Sequence, residues 1–192
     1  MATDHDIVEV RSRAELRAWL AANHDRSGSI WLASYKKHSN WYLPYDAIVE
    51  EVLCFGWIDS QPRKLDADRS LLRLSPRKPG SGWSQVNKTR IERLLAEHLM
   101  TPAGLACIER AKADGSWQAL DEAHAGTVPD DLAAAFAGHP GAAERFAGFP
   151  PSTRRAILEW ITSARRVETR AARVEETARL AAQGIRANQW PK

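Results

Sequence analysis

The chain has 192 residues, of which 44% are hydrophobic and eight are tryptophan, so it can bury a core and is not a wholly disordered protein. The formal net charge of +3 is low for a protein whose main partner is nucleic acid. No apolar stretch approaches the roughly 20 residues that cross a bilayer, so we expect no membrane span. The charged N-terminal residues lack the apolar run of a secretory signal, and we therefore expect a cytoplasmic protein.

The first 117 residues contain both strand and helix patterns. Residues 7–10 form a short apolar run typical of a strand, and Ser12 and Glu15 form a capping box that begins a helix. The same kinds of pattern predict strands over 28–37, 57–61 and 71–75, and helices that begin at Pro44, Ser84 and Thr101.

From residue 128 onward every periodic segment is helical, with apolar residues at helical spacing over about 129–137, 140–148, 152–164 and 167–183. Residues 115–127 are the expected linker. We therefore predict an α+β protein. A small, mostly antiparallel sheet with flanking helices occupies residues 1–117, and a C-terminal helical subdomain occupies residues 128–186.

The two cysteines, Cys54 and Cys107, each stand in an apolar helical pattern, so we expect both thiols to be buried. Neither has a second cysteine or a histidine at metal-ligand spacing, and the six histidines are scattered singly. We therefore expect no metal site and no cofactor.

Positive charge is concentrated in residues 63–93, which contain nine lysines or arginines and three acidic residues. Within them, residues 75–84 are expected to run from a strand end into a helix start, where free N–H groups and about half a positive charge favour an anion. We expect this region to bind an anionic small molecule such as a phosphate, a carboxylate or a nucleotide. The candidate binding residues are Trp57, Asp59, Arg73, Ser75, Arg77, Lys78, Ser81, Trp83, Ser84 and Asn87.

A purely structural interpretation of the same residues stays open. Ser84 can serve only as a helix cap, Trp83 only as an apolar contact before that helix, and the arginines can pair with nearby aspartates. Asp59 is either the ion-pair partner of a neighbouring cation or a general acid/base aimed at the ligand. The loop lacks the GxxxxGK[ST] spacing of a P-loop, so NTP hydrolysis is not supported.

Two other segments are candidates for a basic surface. Residues 35–42 mix lysines with aromatic residues, which suits stacking on bases or sugars and equally suits a strand end with solvated lysines. Arg166, Arg170 and Arg173 line one face of a predicted helix, where they form either ion pairs or part of a basic face. A nucleic-acid partner is the less favoured interpretation, because no recognised nucleic-acid-binding module is present.

Motifs spread over nearly the whole chain occur in the order typical of one family. They include CFGWID at 54–59, PRKP at 76–79, MTP at 100–102, VPDDL at 128–132 and SARR at 163–166. With these motifs the chain resembles the YdeI/OmpD-associated family, also called bacteriocin-protection proteins, although Ser60 stands where the family usually has glycine. The resemblance implies a link to envelope stress and to resistance against cationic peptides or bacteriocins. It carries over no reaction, cofactor or catalytic residue.

We therefore expect a YdeI/OmpD-associated-like protein that binds an anionic small molecule and contributes to stress protection, by sequestration or by docking to a protein partner. Two alternatives stay open, namely a small-molecule enzyme that uses Asp59 as acid/base and a nucleic-acid-binding protein with a basic face. The sequence does not decide whether the protein catalyses a reaction.

Overall fold

The computed structural model describes residues 7–189, and contacts between residues divide the chain into two units. Unit 1 contains the described residues up to Ser81 together with Val86–Ser116. Unit 2 contains Gly82–Gln85 and the described residues from Trp117 onward. Unit 1 combines a sheet with helices and unit 2 is helical, so the α+β prediction is confirmed.

The sheet of unit 1 has four strands, β1 (Ile7–Glu9), β2 (Ile30–Tyr35), β3 (Trp57–Lys64) and β4 (Arg69–Pro76). Their order is β1-β2-β4-β3, and only the β1–β2 pair is parallel, so the sheet is mostly antiparallel as predicted. β3 extends beyond the predicted 57–61 and contains Pro62, with a register shift between Asp59 and Pro62. Proline cannot donate to a neighbouring strand, and it is tolerated here because β3 is an edge strand with a bulge.

One face of this sheet forms the core of unit 1. Ile30 lies opposite Leu74 and Leu32 opposite Leu72, and all four side chains are buried. Unit 1 also contains α1 (Arg13–Asn23), α2 (Tyr45–Cys54), α3 (Gln85–Ala96) and α4 (Pro102–Ala113). The helix α2 contacts β3 and buries an apolar side made of Ile48, Val49, Val52 and Leu53.

Two adjacent glutamates of α2 are buried among arginines from other helices. Glu51 is 2% exposed and accepts hydrogen bonds from Arg13 Nε at 2.5 Å and from Arg17 Nη1 at 2.8 Å. Glu50 accepts hydrogen bonds from Arg13 Nη1 at 3.0 Å and from Arg93. These ion pairs connect α1 and α3 to α2, and they satisfy carboxylates that would otherwise be costly to bury.

Unit 2 contains α5 (Asp121–Ala125), α6 (Asp130–Ala137), α7 (Ala142–Ala147), α8 (Pro151–Thr162) and α9 (Val167–Ala181). The short helix α5 lies within the segment expected to be a linker, and it ends at Gly126, whose φ of 78° favours glycine. The core of unit 2 is apolar and includes Leu132, Phe136, Phe146, Ile157, Leu158, Ile161 and Ala178. Over residues 7–189, no helix is long and apolar enough to cross a membrane.

Both cysteines are buried and free, as predicted. Burial, helped by the charge of Glu51, raises the pKa of the Cys54 thiol. A raised pKa keeps this thiol protonated at neutral pH, so Cys54 is a core residue and a poor nucleophile.

Candidate functional site

The predicted site residues on the strands of unit 1 face different sides of the sheet. Asp59 lies opposite Leu74, whereas Ser75 lies opposite Ile58. Because successive side chains alternate between the two faces, Asp59 is on the face opposite to that of Arg73 and Ser75. The sheet therefore separates Asp59 from two of the residues expected to share its site.

Asp59 and Arg73 also have local partners. Asp59 Oδ2 accepts a hydrogen bond from the Tyr45 hydroxyl at 2.6 Å. Arg73 is exposed, and its Nη2 donates to Ser29 Oγ at 3.0 Å. Burial, with hydrogen bonding to Asp59, raises the pKa of Tyr45 to about 12. The hydroxyl of Tyr45 thus stays protonated near neutral pH and remains a donor to the aspartate.

The loop after β4 is closed by its own hydrogen bonds. Ser81 Oγ and the Ser81 backbone N–H donate to the Lys78 carbonyl at 2.7 and 3.2 Å, and the Gly80 N–H donates to Asp114 Oδ2 at 3.1 Å. The Lys78 side chain is exposed, and Asn87 Oδ1 accepts from Arg90 Nη1 at 3.0 Å. Both Lys78 and Ser81 thus lie on a formed turn.

Two predicted site residues, Trp83 and Ser84, belong to unit 2. Trp83 is 2% exposed, and its ring lies 5.0 Å from that of Trp117, centroid to centroid. Ser84 is half-buried. Trp83 thus packs against an aromatic neighbour of the same unit.

A cavity of about 330 Å³ in unit 1 brings three arginines together. It lies beside the start of β3, the end of β4 and one side of α4. The residues that matter most to its chemistry are Arg26, Trp57, Arg77, Cys107 and Arg110, and Asp25 is the one carboxylate in its lining. Trp57 and Arg77 were predicted as site residues, and this cavity is where the structure brings them together.

Trp57 positions the segment that carries Arg26. Its side chain is fully buried, and its indole N–H donates to the His24 carbonyl at 2.9 Å. The Trp57 ring also meets Trp19 edge-on at 5.9 Å, and the guanidinium of Arg26 lies 5.8 Å from the centroid of the Trp19 ring. The tryptophan pair therefore holds the residues after α1 against the start of β3, and with them one cation of the cavity.

Arg77 and Arg110 reach the cavity from β4 and α4. The Arg77 backbone N–H donates to the Gly56 carbonyl at 3.0 Å. Gly56 has a φ of +73°, and a Cβ there would lie 2.9 Å from Cys107 Cβ, one turn before Arg110 on α4. Glycine is thus required both by the backbone conformation and by the close approach of α4.

The guanidinium of Arg77 is buried but remains charged. Burial lowers its pKa to about 10, and the nearby Cys107 and Asp59 oppose the shift. At this pKa the group is protonated at neutral pH. The Arg77 guanidinium is thus buried and charged at neutral pH, and it lines the cavity with two further arginines. It can bind a carboxylate or a phosphate by donating paired hydrogen bonds.

Part of the positive charge of residues 63–93 is neutralised by acids outside this segment. Arg69 pairs with Glu9, in addition to the neighbouring Asp66 at 2.7 Å, and Arg90 pairs with Asp46 at 2.5 Å. Arg93 pairs with the buried Glu50 described above. The local excess of charge in the sequence therefore overstates the positive charge that this region offers to a ligand.

Residues 35–42 surround a second cavity of unit 1, of about 320 Å³, between the sheet and the start of α2. Lys36 Nζ already donates to the carbonyls of Asp66 and Ala67 at 2.6 and 2.8 Å. Tyr35 and Trp41 lie in edge-on contact at 5.1 Å, and the Tyr35 hydroxyl donates to Glu9 at 2.6 Å. One of the two lysines and two of the three aromatic rings of this segment are thus engaged in contacts at a strand end.

Two arginines of the stripe on α9, Arg170 and Arg173, are likewise engaged within unit 2. Arg170 makes two hydrogen bonds to Asp131, at 2.7 and 3.0 Å. Arg173 lies 4.9 Å from the centroid of the Trp160 ring and also donates to Ser163 Oγ at 2.9 Å. Arg170 thus forms an ion pair, as one interpretation of the stripe expects, and Arg173 contacts a ring and a hydroxyl instead of an acid.

Sequence reasoning missed Arg26 and Arg110. They stand in ordinary surface-like contexts, one after α1 and one on α4, and no motif marks either of them. Only the packing of Trp57 on His24 and of α4 on Gly56 places them beside Arg77. No group of three or more His, Cys, Asp or Glu among the described residues is placed to hold a metal ion.

Comparisons with known proteins identify two family segments. The model of the family described as a domain of unknown function (DUF8412) matches residues 8–107. The model described as "Bacteriocin-protection, YdeI or OmpD-Associated" matches residues 125–184, which confirms the resemblance drawn from the sequence. No curated protein and no solved structure matches the chain.

Proposed function

The chain belongs to the family described as a domain of unknown function (DUF8412) and carries a YdeI/OmpD-associated, bacteriocin-protection segment, and on that premise we propose that it is a binding protein for a small organic anion. The ligand is held in unit 1 by Arg26, Arg77 and Arg110. Stress protection is the broader role, exerted through sequestration of the ligand or through a protein partner that responds to it.

The observation that carries this proposal is that three arginines line one cavity. They come from the segment after α1, from the residue that follows β4 and from α4, and Asp25 is the carboxylate among the described lining residues. A volume of about 330 Å³ lies at the lower end of the range of small-molecule sites, about 300–1,000 Å³. A carboxylate or a phosphate matches both the charge and the fork geometry of the arginines.

The proposed site includes part of the loop predicted from the sequence, but it is centred on different residues. Arg77 remains the buried charge, and Trp57 becomes a supporting residue that holds the His24 carbonyl. Arg26 and Arg110 take the place given to Lys78, Ser81 and Asn87. The position of Asp59 supports binding without catalysis, because Asp59 accepts from Tyr45 and does not line this cavity.

The test is a thermal-shift and calorimetry screen of the whole protein against sugar phosphates, nucleotides, di- and tricarboxylates, short oligonucleotides and cationic peptides. A ligand that binds only the folded state adds about 2.7 kcal/mol of stability at 100 times its dissociation constant. We expect small anions to stabilise the wild type. Arg110→Gln and Arg26→Gln should each weaken that binding roughly tenfold, because each removes a charge-assisted hydrogen bond.

Arg63→Gln is the matched control, since Arg63 is an exposed arginine of the same unit and lies outside the cavity. It should bind the anion as the wild type does. Equal affinity in Arg63→Gln and Arg110→Gln would contradict the proposed site. A response to oligonucleotides alone, falling steeply with added salt, would favour the nucleic-acid alternative.

A further inference from the structure

Unit 2 contains a cavity of about 460 Å³ whose lining is apolar except for one arginine. Phe136 and Phe146 form its aromatic wall, and alanines of α6 and α7 form much of the rest. The two rings lie 5.3 Å apart, centroid to centroid, so the wall is part of the packed core of the unit. Among the described residues that line the cavity, Arg154 alone is charged.

The Nε–H of Arg154 is buried and, within the described residues, has no hydrogen-bond partner. A buried donor without an acceptor is unfavourable, because it has lost its hydrogen bond to water. Such groups are uncommon in folded proteins, and each calls for an acceptor from outside the chain or for another explanation. Because this donor belongs to a residue that lines an apolar cavity, a ligand atom in the cavity can supply the missing acceptor.

The position of Arg154 in α8 adds to the preference for an anion. Arg154 lies in the first turn of this twelve-residue helix, which has no acidic residue in that turn and no side-chain cap at Pro150. The start of a helix carries a partial positive charge, so an arginine there is locally unfavourable and an anion is favoured. A negatively charged acceptor would form a hydrogen bond with the Nε–H of Arg154. It would also offset the unfavourable positive charge of Arg154 at the start of α8.

We propose that this cavity binds an amphipathic carboxylate of the fatty-acid type. The carboxylate contacts Arg154, and the hydrocarbon chain lies along Phe136 and Phe146. The remaining lining residues are alanine and valine, which offer no side-chain partner to a polar ligand body, so a sugar or a nucleotide is disfavoured. The volume lies within the range of small-molecule sites.

This second site is independent of the arginine cavity of unit 1, because the two share no residue. It also differs in ligand class, since it requires an apolar chain as well as a charge. The two proposals can therefore succeed or fail separately.

The experiment is calorimetric titration of the full chain with decanoate below its micelle concentration. Acetate, which has the charge without the chain, and decyltrimethylammonium, which has the chain with the opposite charge, are titrated in parallel. We expect decanoate to bind and the other two to bind at least roughly tenfold more weakly. Acetate lacks the hydrocarbon chain that would be buried, and decyltrimethylammonium cannot accept a charge-assisted hydrogen bond from Arg154.

Arg154→Gln should weaken decanoate binding roughly tenfold, whereas Arg155→Gln, at the exposed neighbouring arginine, should leave it unchanged. Ala143→Phe should block the cavity from an exposed position and abolish binding without a loss of helical circular dichroism. Arg110→Gln should bind decanoate as the wild type does.

Three results would overturn the inference. One is equal binding of decanoate by Arg154→Gln and Arg155→Gln. Another is binding of decyltrimethylammonium as tight as that of decanoate, which would mark a purely apolar surface. The third is loss of decanoate binding in Arg110→Gln, which would assign the carboxylate to the cavity of unit 1.

Discussion

In unit 1 a buried carboxylate and its ion pairs join α2 to α1, whereas in unit 2 the contact between α6 and α7 is made by aromatic side chains. In unit 1, Glu51 is 2% exposed and joins α2 to two arginines of α1. Also in the last turn of α2, the Cys54 carbonyl accepts from the Thr101 N–H at 3.1 Å and from Thr101 Oγ1 at 2.6 Å. In unit 2, α6 and α7 meet through Phe136 and Phe146, and the Asp131–Arg170 pair lies at the surface.

This difference indicates what sets the geometry in each unit. A buried carboxylate costs several kcal/mol to desolvate, so Glu51 requires arginines at defined positions and thereby fixes the relation of α1 to α2. An apolar contact is less directional and tolerates small shifts of a helix. We therefore expect unit 1 to be the more sensitive to single polar or backbone changes.

The largest effect is expected from Gly104→Ala, which tests the close approach of α4 to α2. A Cβ at Gly104 would collide with the Cys54 carbonyl oxygen and would lie 2.8 Å from the carbonyl carbon. Overpacking against backbone that cannot move should cost about 3 kcal/mol of unfolding free energy. The measurement is urea denaturation with hydrogen exchange followed by mass spectrometry, which reports the two units separately.

Gly28→Ala is the control for that experiment, because a Cβ at Gly28 would meet nothing within 4 Å. Its unfolding free energy should stay close to that of the wild type. If Gly104→Ala were as stable as Gly28→Ala, the polar contact between α4 and α2 would not be a tight one.

The second prediction concerns Glu51→Gln, which removes the charge that holds two arginines. Arg13 and Arg17 are about a third exposed and can regain water, so the cost should stay below that of a fully buried broken pair. We expect a loss of about 2 kcal/mol, with exchange increasing in unit 1 peptides.

Glu92→Gln is the matched control, since Glu92 is an exposed glutamate of α3. It should change stability by less than about 0.5 kcal/mol. Equal unfolding free energies of Glu51→Gln and Glu92→Gln would contradict the conclusion that the Glu51 ion pairs stabilise unit 1.

The smallest effect is expected from Asp131→Asn in unit 2. The hydrogen bonds and charge of Arg170 hold the pKa of Asp131 below its ordinary value. The unfolded state therefore binds this proton more readily than the folded state does. The stabilisation is complete above about pH 4 and is lost as the pH falls through the folded-state pKa.

At neutral pH the Asp131→Asn variant should lose only about 0.5 kcal/mol, because the aspartate side chain is 42% exposed and the pair is screened by solvent. The difference from the wild type should vanish at low pH. Asp130→Asn, at the neighbouring exposed aspartate, serves as the control. An Asp131→Asn deficit that grows on acidification would have the wrong sign and would contradict the assigned role of the pair.

Local sequence patterns predicted the elements well because their causes lie within a few residues. Ser12 Oγ accepts from the Glu15 N–H at 3.1 Å, as the capping box requires, although the Glu15 carboxylate bonds the Arg11 N–H at 2.8 Å. Thr101 caps α4 as predicted. The helix α5 was missed because five residues provide too little periodicity to distinguish a short helix from a linker.

The candidate site was only partly predictable, because charge counted along the chain takes no account of partners across the fold. Arg69, Arg90 and Arg93 raised the apparent charge of residues 63–93, and all three pair with acids in the structure. Conversely, no sequence motif marks Arg26 or Arg110. The cations that line a cavity come from residues that are distant in the sequence, so their clustering is visible only in the folded structure.

The sequence by itself determined the α+β class, the positions of most helix starts, the burial of both cysteines and the relationship to the YdeI/OmpD-associated family. Each of these follows from side-chain periodicity, capping chemistry or motif order, which are short-range properties of the chain. The tertiary structure alone decided which arginines pair with acids and which arginines line cavities. Arg77 lines one cavity with Arg26 and Arg110, and Arg154 lines another with Phe136 and Phe146, only because packing brings separate elements together.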